Sequence, residues 1–220
     1  MHQSIKNIID LNNKVKQKIK ELNFLNYTPQ IIAVSKTFTM TEILPLIEYG
    51  HQHFGENKVQ EALEKWTVLK KNFTNVKLHL IGKLQTNKVK HALNLFDYIH
   101  SLDNIKLATK ISTEQKKINK KPKIFIQINI GNEPQKSGID KKELKNFYQA
   151  CIELGLNIIG TMCLPPNNNN PEQYFSEMQT LNESLNLKEI SMGMSEDYLN
   201  AVEHGATFIR IGSKIFGPRS

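Results

Sequence analysis

The sequence of 220 residues predicts an α/β fold, a (β/α)8 TIM barrel with an extra N-terminal helix. Eight short, apolar, β-branched patterns alternate with stretches of helical periodicity, as is typical of parallel strands joined by helices. Three predicted helices end in IEYG, IELG and VEHG, each with a glycine placed for a left-handed C-cap and a strand pattern directly after it. Because eight such units fit this length around one core, we expect residues 1–220 to form a single domain.

The first element is an amphipathic helix from residue 4 to about residue 22, in which Ile5, Ile8, Val15 and Leu22 recur at near-helical spacing. Each strand pattern that follows is short and is separated from the next one by a helical stretch. These patterns cover residues 31–35, 52–55, 77–81, 98–102, 123–130, 157–164, 189–192 and 207–211.

Capping signatures indicate where some of the connecting helices begin. Thr39 and Glu42 form a Thr-x-x-Glu capping box soon after the first strand pattern. Asp140 and Glu143 fit an N-terminal signature after the fifth strand pattern. The loops between strand and cap are therefore short, and in barrels the functional residues lie in these loops.

A doubly wound open sheet is the alternative architecture, because it also alternates strands and helices. A G-x-G-x-x-G motif between a strand and a helix would favour it. The sequence contains no such motif, so the barrel is the preferred prediction.

The chain is basic, with 29 Lys and Arg residues against 21 Asp and Glu residues and a formal net charge of +8. Such a balance is compatible with nucleic-acid binding. Only Arg210 and Arg219 are arginines, and the lysines are spread along the whole chain without interleaved aromatic residues. We therefore attribute the charge to a lysine-rich composition and expect no nucleic-acid partner.

The cysteine and hydropathy patterns indicate a cytoplasmic protein. Cys151 and Cys163 form no C-x-x-C pair and have no metal-ligand spacing, so we expect a reducing compartment, no disulfide and no metal. The N-terminus lacks the apolar core of a signal peptide, and no apolar run approaches transmembrane length. We therefore expect no membrane association.

Several polar residues fall at the predicted C-terminal ends of the strands, where the active sites of such barrels lie. Barrel phosphate sites recur in the loops after strands seven and eight, which here contain Ser195, predicted to open the seventh helix, and Gly212 with Ser213. Taken singly, a serine often only caps a helix and a glycine only turns the chain. Their occurrence in both loops favours a phosphate site. Other candidates are Lys36, Asn57 and His79, the last equally compatible with a core histidine.

Lys36 and Arg210 suggest which phosphate compound would bind. A lysine at the end of a buried strand usually extends to solvent, but a partly desolvated one near other cations has a lowered pKa and can form a Schiff base. Pyridoxal 5′-phosphate (PLP) is an aldehyde cofactor with a phosphate, and its ring nitrogen needs a protein partner. Arg210 lies on the strand beside the first one in a closed barrel. It is informative because lysine serves at nearly every other basic position.

The sequence contains six motifs in the order AVSKT, FGENKVQE, HLIGKLQTNK, KSGI, GMSED and IRIGSKIFG. Together they resemble those of the pyridoxal phosphate homeostasis protein family, whose fold is the barrel of the alanine racemase N-terminal domain. Each motif alone is weak, but six in order from about residue 31 to residue 217 are specific. One departure is Lys83, which adds a cation near the mouth of the site.

The resemblance implies a role for each candidate residue. Lys36 would be the covalent Schiff-base lysine, and Arg210 would face the pyridine nitrogen. Lys136 in KSGI is compatible with a solvated loop charge. The phosphate would be held by Ser195, Gly212 and Ser213, and the ring would be lined by Asn57, His79 and Met192.

The resemblance further implies a protein that holds PLP for homeostasis and delivery and has no established catalytic activity. Its partners would be PLP and PLP-dependent apo-enzymes, and we expect a monomer. Arg210 agrees with a holding role, because an arginine keeps its protons and leaves the pyridine nitrogen unprotonated. The ring is then a poor electron sink.

Two other functions remain open from the residues: a weak amino-acid racemase that uses the same PLP site, and a basic nucleic-acid-binding protein. Racemisation needs an acid–base group on each face of the substrate. In alanine racemases the second group is a tyrosine from a separate β domain of the partner subunit. The sequence ends at Ser220, soon after the last barrel motif, so we expect little or no racemase activity.

Overall fold

A computed structural model describes residues 1–166 and 170–218 of the chain. Within these residues, eight parallel strands close into a barrel in which each strand pairs with the next one along the chain and the last pairs with the first. The predicted barrel is confirmed, and the open-sheet alternative is wrong. The strands are β1 (Gln30–Val34), β2 (His53–Glu56), β3 (Lys77–Leu80), β4 (Tyr98–Leu102), β5 (Lys123–Ile128), β6 (Ile158–Cys163), β7 (Glu189–Ser191) and β8 (Phe208–Ile211).

The helices form a layer outside the barrel, and the predicted N-terminal helix precedes the first strand. No helix in the described part of the chain is both long and apolar enough to cross a membrane. The helices are α1 (Gln3–Glu21), α2 (Met40–Glu48), α3 (Val59–Asn72), α4 (Val89–Leu95), α5 (Ile105–Ile118), α6 (Leu144–Glu153), α7 (Glu172–Ser184), α8 (Tyr198–Glu203) and α9 (Ser213–Phe216).

The helix ends follow the local signals in the sequence. At the start of α2, the Thr39 N–H donates to the Glu42 carboxylate at 2.8 Å, as the capping box predicts. The glycines that end α2, α6 and α8 have φ angles of 99°, 73° and 77°, a left-handed conformation that glycine adopts without steric cost. In each case the next residue donates back to a carbonyl five residues earlier, which closes the helix end and directs the chain into a strand.

The strand period of two divides the core into two parts. Side chains on the outer face of the strands pack against the helices in the larger part, where Trp66 and Phe175 are fully buried. Side chains on the inner face fill the N-terminal half of the barrel. This inner cluster consists of Ile32, Tyr98, Phe125, Met162 and Phe208.

Candidate functional site

A cavity of about 880 Å³ opens at the C-terminal end of the barrel, where the strands meet their following loops. Lysine, arginine, serine and amide side chains line it together with a few apolar ones. The residues that line it are Val34, Lys36, Asn57, Ile81, Gly82, Lys83, Gln127, Gln135, Lys136, Ser137, Leu164, Met194, Ser195, Glu196, Asp197, Arg210, Gly212 and Ser213. Six of the eight predicted site residues are among them; His79 and Met192 are not.

Lys36 lies in the tight turn that follows β1 and is half-buried. The backbone on both sides of it is held by charged side chains of α3. Lys65 Nζ donates to the Ser35 carbonyl at 2.9 Å, and the Thr37 N–H donates to Glu61 Oε1 at 2.7 Å. Thr37 has a φ of 69°, so these bonds hold a backbone conformation that a β-branched residue rarely adopts. These two hydrogen bonds therefore fix the turn that presents Lys36 against α3.

A fully buried carboxylate, Glu56, stands behind this turn. Its Oε1 accepts from Ser35 Oγ at 2.8 Å and from Trp66 Nε1 at 3.0 Å, and it pairs with Lys65 Nζ at 2.9 Å. Burial raises the pKa of the Glu56 carboxyl, while the charge of Lys65 opposes that shift. Sequence analysis assigned no role to this residue, which lies in the FGENKVQE motif after the second strand, because a glutamate in a short strand gives no sign of its partners.

Asn57 follows β2 and reaches the cavity from the next loop. Its position depends on a close approach of backbone to backbone, because a Cβ built on Gly82 would lie 2.3 Å from the Asn57 carbonyl oxygen. Only glycine fits there without moving the loop. The Ile81 N–H also donates to the Glu56 carbonyl at 2.9 Å. The loops after β2 and β3 are thus packed as one unit.

Arg210 extends from β8 into the floor of the cavity and is only 4% exposed. Its NH1 donates to Ser191 Oγ at 2.7 Å, and its NH2 donates to the Cys163 carbonyl at 2.8 Å. Burial lowers the pKa of the guanidinium from its usual high value. Since a guanidinium has five N–H donors and these bonds use two of them, further donors remain for a ligand in the cavity.

Sequence analysis predicted that Ser195 opens the helix that follows the seventh strand, and the structure differs on this point. The helix α8 begins at Tyr198, three residues later. A turn precedes it, because the Met194 N–H donates to Asp197 Oδ1 at 2.6 Å and the Asp197 N–H donates to the Met194 carbonyl at 3.2 Å. Ser195 therefore lies within a loop at the cavity wall, half-buried, and not at a helix N-terminus.

The loop after β8 stands beside that turn. Lys214 Nζ donates to the Ser195 carbonyl at 2.5 Å, which joins the two loops. The N–H groups of Ile215 and Phe216 both donate to the Gly212 carbonyl, so the first helical bonds begin there. The amide of Ser213, in the first turn of α9, is one of the N–H groups that a helix start leaves for other acceptors. The Ser195 hydroxyl and this amide thus belong to one wall of the cavity.

His79 and Met192 lie away from the cavity. His79 is fully buried inside the barrel, stacked on Tyr98 at 4.1 Å between ring centroids. Met192 is also fully buried, in the core between the barrel and the helices. The period of two explains this position, since the neighbouring Ser191 faces the barrel interior, where it bonds Arg210.

Two further cavity residues, Gln127 and Lys136, were assigned no binding role from the sequence, and only Lys136 was named there. Gln127 on β5 is 5% exposed, and its Nε2 donates to the Ser137 carbonyl at 3.1 Å, which folds the KSGI loop back over the strand. Lys136 pairs with Glu133 Oε2 at 2.5 Å and donates to the Pro165 carbonyl at 3.1 Å, so it is not simply a solvated charge. Alternation along β5 could have assigned Gln127 to the barrel interior.

The arrangement suits an anionic ligand with an electrophilic group. The cavity is lined by the cations Lys36, Lys83, Lys136 and Arg210 and by two carboxylates, Glu196 and Asp197. One amine, Lys36, is held on a fixed turn after β1, and hydroxyl and amide donors lie in the loops after β7 and β8, the latter being the strand that pairs with β1. Such a set can bind a phosphate or carboxylate and bring an aldehyde or ketone against an amine.

A profile of the family described as alanine racemase, N-terminal domain, matches residues 9–220. A pyridoxal phosphate homeostasis protein of Haemophilus influenzae is 38% identical over 224 residues, covering 94% of this chain and 94% of that protein. Another, from Aquifex aeolicus, is 37% identical over 200 residues, covering 86% and 87%. The solved structure of PipY from Synechococcus elongatus with PLP bound is 32% identical, with a TM-score of 0.81, and the alignment covers 92% of this chain and 100% of PipY.

Proposed function

The chain belongs to the alanine racemase N-terminal domain family and to the pyridoxal phosphate homeostasis proteins, and on that premise we propose that it binds PLP in this cavity and serves the homeostasis and delivery of the cofactor. Two independent relations support PLP as the ligand. The curated relatives carry the homeostasis name, and PipY, which has the same fold, has been solved with PLP bound.

The observation that carries the proposal is that one cavity combines an amine, a buried guanidinium and a wall of hydroxyl and amide donors. Lys36, Arg210 and Ser195 all line it. These groups fit the three functional parts of PLP, its aldehyde, its ring nitrogen and its phosphate. A Cβ added at Gly212 would meet only Val34, at an ordinary 3.5 Å. Packing within the protein therefore does not require glycine there, and the absence of a side chain leaves the backbone accessible from the cavity that Gly212 lines.

Each residue then has a defined task. Lys36 Nζ offers the amine that joins the aldehyde, and the turn held by Lys65 and Glu61 keeps it in place. Arg210 donates an N–H toward the ring nitrogen while Ser191 and the Cys163 carbonyl hold its other side. The Ser195 hydroxyl, with the amides of Gly212 and Ser213, accommodates the phosphate. When bound, PLP supplies an aldehyde for exchange between amines.

A holding role suits the site better than racemisation. A permanently protonated arginine leaves the ring nitrogen unprotonated and so limits the ring as an electron sink. Racemisation also needs an acid–base group on the face opposite Lys36. Among the described residues that line the cavity there is no tyrosine to take that part. Weak racemase activity remains the second candidate, and no observation favours it over holding.

An absorption titration tests the proposal. PLP added to the protein should give a saturable visible band that pyridoxine 5′-phosphate, which has no aldehyde, does not give. L-Alanine supplied to the loaded protein should yield D-alanine at well below one turnover per second, the low end of ordinary enzymes. Failure to saturate would refute PLP binding, and turnover at or above that rate would favour the racemase. Displacement of PLP by duplex DNA would favour the nucleic-acid alternative.

The remaining expectations belong to the same proposal. We propose a cytoplasmic monomer, in which the buried and free thiols of Cys151 and Cys163 remain reduced, and PLP-dependent apo-enzymes as recipients. Light scattering on the loaded protein tests the monomer. Transfer of PLP to a PLP-free apo-enzyme, followed by the recovery of that enzyme's activity, tests delivery. Recovery no faster than with an equal concentration of free PLP would argue against it.

A further inference from the structure

A row of polar side chains crosses the barrel interior below the cavity. Arg210 NH1 donates to Ser191 Oγ at 2.7 Å, and Ser191 Oγ is 2.9 Å from His100 Nδ1. His100 Nε2 is 2.9 Å from His79 Nδ1, and His79 Nε2 is 2.9 Å from His53 Nδ1. The row runs through β8, β7, β4, β3 and β2, from the cavity floor toward the N-terminal end of the barrel. It accounts for the position of His79.

The row is isolated from solvent over most of its length. Ser191, His79 and His100 are fully buried, and Arg210 is 4% exposed. Only His53, at the first position of β2, is half-buried. Phe125 and Tyr98 stack on His100 and His79 at 4.3 Å and 4.1 Å between ring centroids. The rings of His79 and His100 are thus each fixed by a stacked aromatic ring as well as by hydrogen bonds.

Burial favours the neutral form of all three histidines at pH 7. Burial is the main cause that lowers the pKa of His53, to about 4, and it lowers the pKa values of His79 and His100 well below their usual value. A neutral imidazole has one N–H donor and one acceptor nitrogen, so each bond of the row has one defined donor. No group of three or more histidine, cysteine or acidic side chains in the described chain is arranged to hold a metal ion.

Arg210 determines the direction of these bonds. A guanidinium cannot accept a hydrogen bond, so Ser191 Oγ is the acceptor of that first contact. Within the described residues, the other hydrogen bond of Ser191 Oγ goes to His100 Nδ1, so the hydroxyl hydrogen points there. His100 then carries its proton on Nε2 and donates to His79 Nδ1. His79 in turn donates from Nε2 to His53 Nδ1.

We propose that Ser191, His100, His79 and His53 form a one-directional hydrogen-bond chain that holds all three histidines as Nε2–H tautomers and positions the Arg210 guanidinium toward the cavity. The hydrogen-bond chain does not deliver protons to a ligand, because the guanidinium keeps its protons. Its members are positioning residues. The tautomer order follows from the free protein alone, whereas its consequence for PLP rests on the proposed function.

Nitrogen-15 NMR of the ligand-free wild-type protein tests the direction of the hydrogen-bond chain directly. Two-bond correlations between ring carbon-bound protons and ring nitrogens distinguish Nε2–H, Nδ1–H and doubly protonated histidine. At pH 7 we expect His53, His79 and His100 all to be Nε2–H tautomers. An Nδ1–H or doubly protonated ring at any of these positions would overturn the proposed direction. This measurement needs neither PLP nor a variant that might fail to fold.

Three serine variants test the effect on Arg210. Ser191→Ala removes the hydroxyl, Ser191→Thr keeps it, and Ser112→Ala removes a buried hydroxyl that donates to the Leu154 carbonyl in the helix layer. Ser191→Ala should mix the His100 tautomers, move the visible absorbance maximum of the PLP complex, and raise the Kd for PLP about 10- to 100-fold, as expected on loss of a hydrogen bond to a charged group. Ser191→Thr and Ser112→Ala should match the wild type.

The outcomes separate the two proposals. A Ser191→Ala variant with wild-type tautomers, absorbance and Kd would overturn the positioning role. If the wild-type protein binds no PLP, the proposed function fails while the tautomer measurement still decides the hydrogen-bond chain. If Ser191→Ala does not fold, the nitrogen-15 NMR spectrum of the wild type decides the direction of the hydrogen-bond chain. Ser191→Thr, which keeps the hydroxyl, then serves as the conservative variant.

Discussion

The two ends of the barrel interior use the same inward-facing strand positions in opposite ways. The N-terminal half is filled by Ile32, Phe125, Phe208 and their neighbours, whereas the C-terminal half encloses a cavity of about 880 Å³ with charged and polar walls. On β8, Phe208 belongs to the packed cluster and Arg210, two residues later, lines the cavity, so one inward-facing step along the strand separates packed core from cavity floor. The N-terminal half, here called the lower half, therefore supplies stability, and the C-terminal half, the upper half, is free to bind a ligand.

The boundary between the halves is polar. The histidine row under Arg210 replaces apolar packing with hydrogen bonds, and its members are satisfied only when they are uncharged and aligned. Buried polar groups of this kind are costly when one partner is lost. Changes in the lower half should thus affect unfolding, and changes in the upper half should affect binding.

The largest expected effect is acid destabilisation by the histidines of the row at this boundary and by His51. Burial lowers the pKa values of His51 and His53 to about 4, and it lowers those of His79 and His100 well below their usual value. Below pH 6.5 the unfolded chain takes up protons that the folded chain does not, so stability is full above that pH and falls toward pH 4. Each such proton costs about 1.4 kcal/mol per pH unit below pH 6.5, or about 5–6 kcal/mol per pH unit for four histidines.

Urea unfolding at pH 7, 6 and 5, followed by circular dichroism, measures this slope. His53→Asn should reduce the slope of the free energy of unfolding against pH by about 1.4 kcal/mol per pH unit, the value for one proton. The same change at the exposed His91 should leave the slope unaltered. A free energy of unfolding that stays constant between pH 7 and pH 5 would contradict the neutral, buried histidine row.

The next effect is on packing. Phe125 is fully buried and stacks on His100, so Phe125→Ala should lower the free energy of unfolding by about 3–5 kcal/mol through lost burial and a residual cavity. Phe24, which is 38% exposed, provides a matched control whose change to alanine should cost much less. Similar losses of stability in both variants would contradict the division of the interior.

The third and smallest effect concerns the phosphate. Ser195→Ala should weaken PLP binding by the value of one charge-assisted hydrogen bond, about 1.5–3 kcal/mol. Pyridoxal, which lacks the phosphate, should bind weakly to the wild type and be unaffected by the substitution. Ser137→Ala is the matched control, because Ser137 lines the cavity from the loop after β5. Equal losses for PLP and pyridoxal would refute the phosphate wall.

The sequence predicted the fold well because its signals are local. The capping box at Thr39, the C-cap glycines and the short β-branched patterns each act within a few residues, and the predicted strand bounds differ from the observed ones by no more than about two residues. The cavity position followed from the fold, because strand ends of a closed parallel barrel lie together.

The site details that the sequence did not reveal depend on contacts between distant residues. Glu56 and Lys65 support the Lys36 turn across two elements, and only the folded chain brings them together. Ser195 was placed at a helix start because the Asp197 turn leaves no distinct sequence signal. Met192 was assigned to the cavity although its neighbour Ser191 takes the inward position; alternation alone could not fix the register at such a short strand.

The central claim is that the upper half of the barrel holds PLP on Lys36. Borohydride reduction of the PLP-loaded protein, followed by peptide mass mapping, tests it most directly, with Lys36→Ala and the cavity-lining Lys83→Ala compared under the same conditions. We expect one pyridoxyl adduct, on the peptide that contains Lys36, in the wild type and in Lys83→Ala. We expect none in Lys36→Ala, whose melting temperature should match that of the wild type because Lys36 adds little to the core. A stoichiometric adduct on another lysine, or one that persists in Lys36→Ala, would contradict the account.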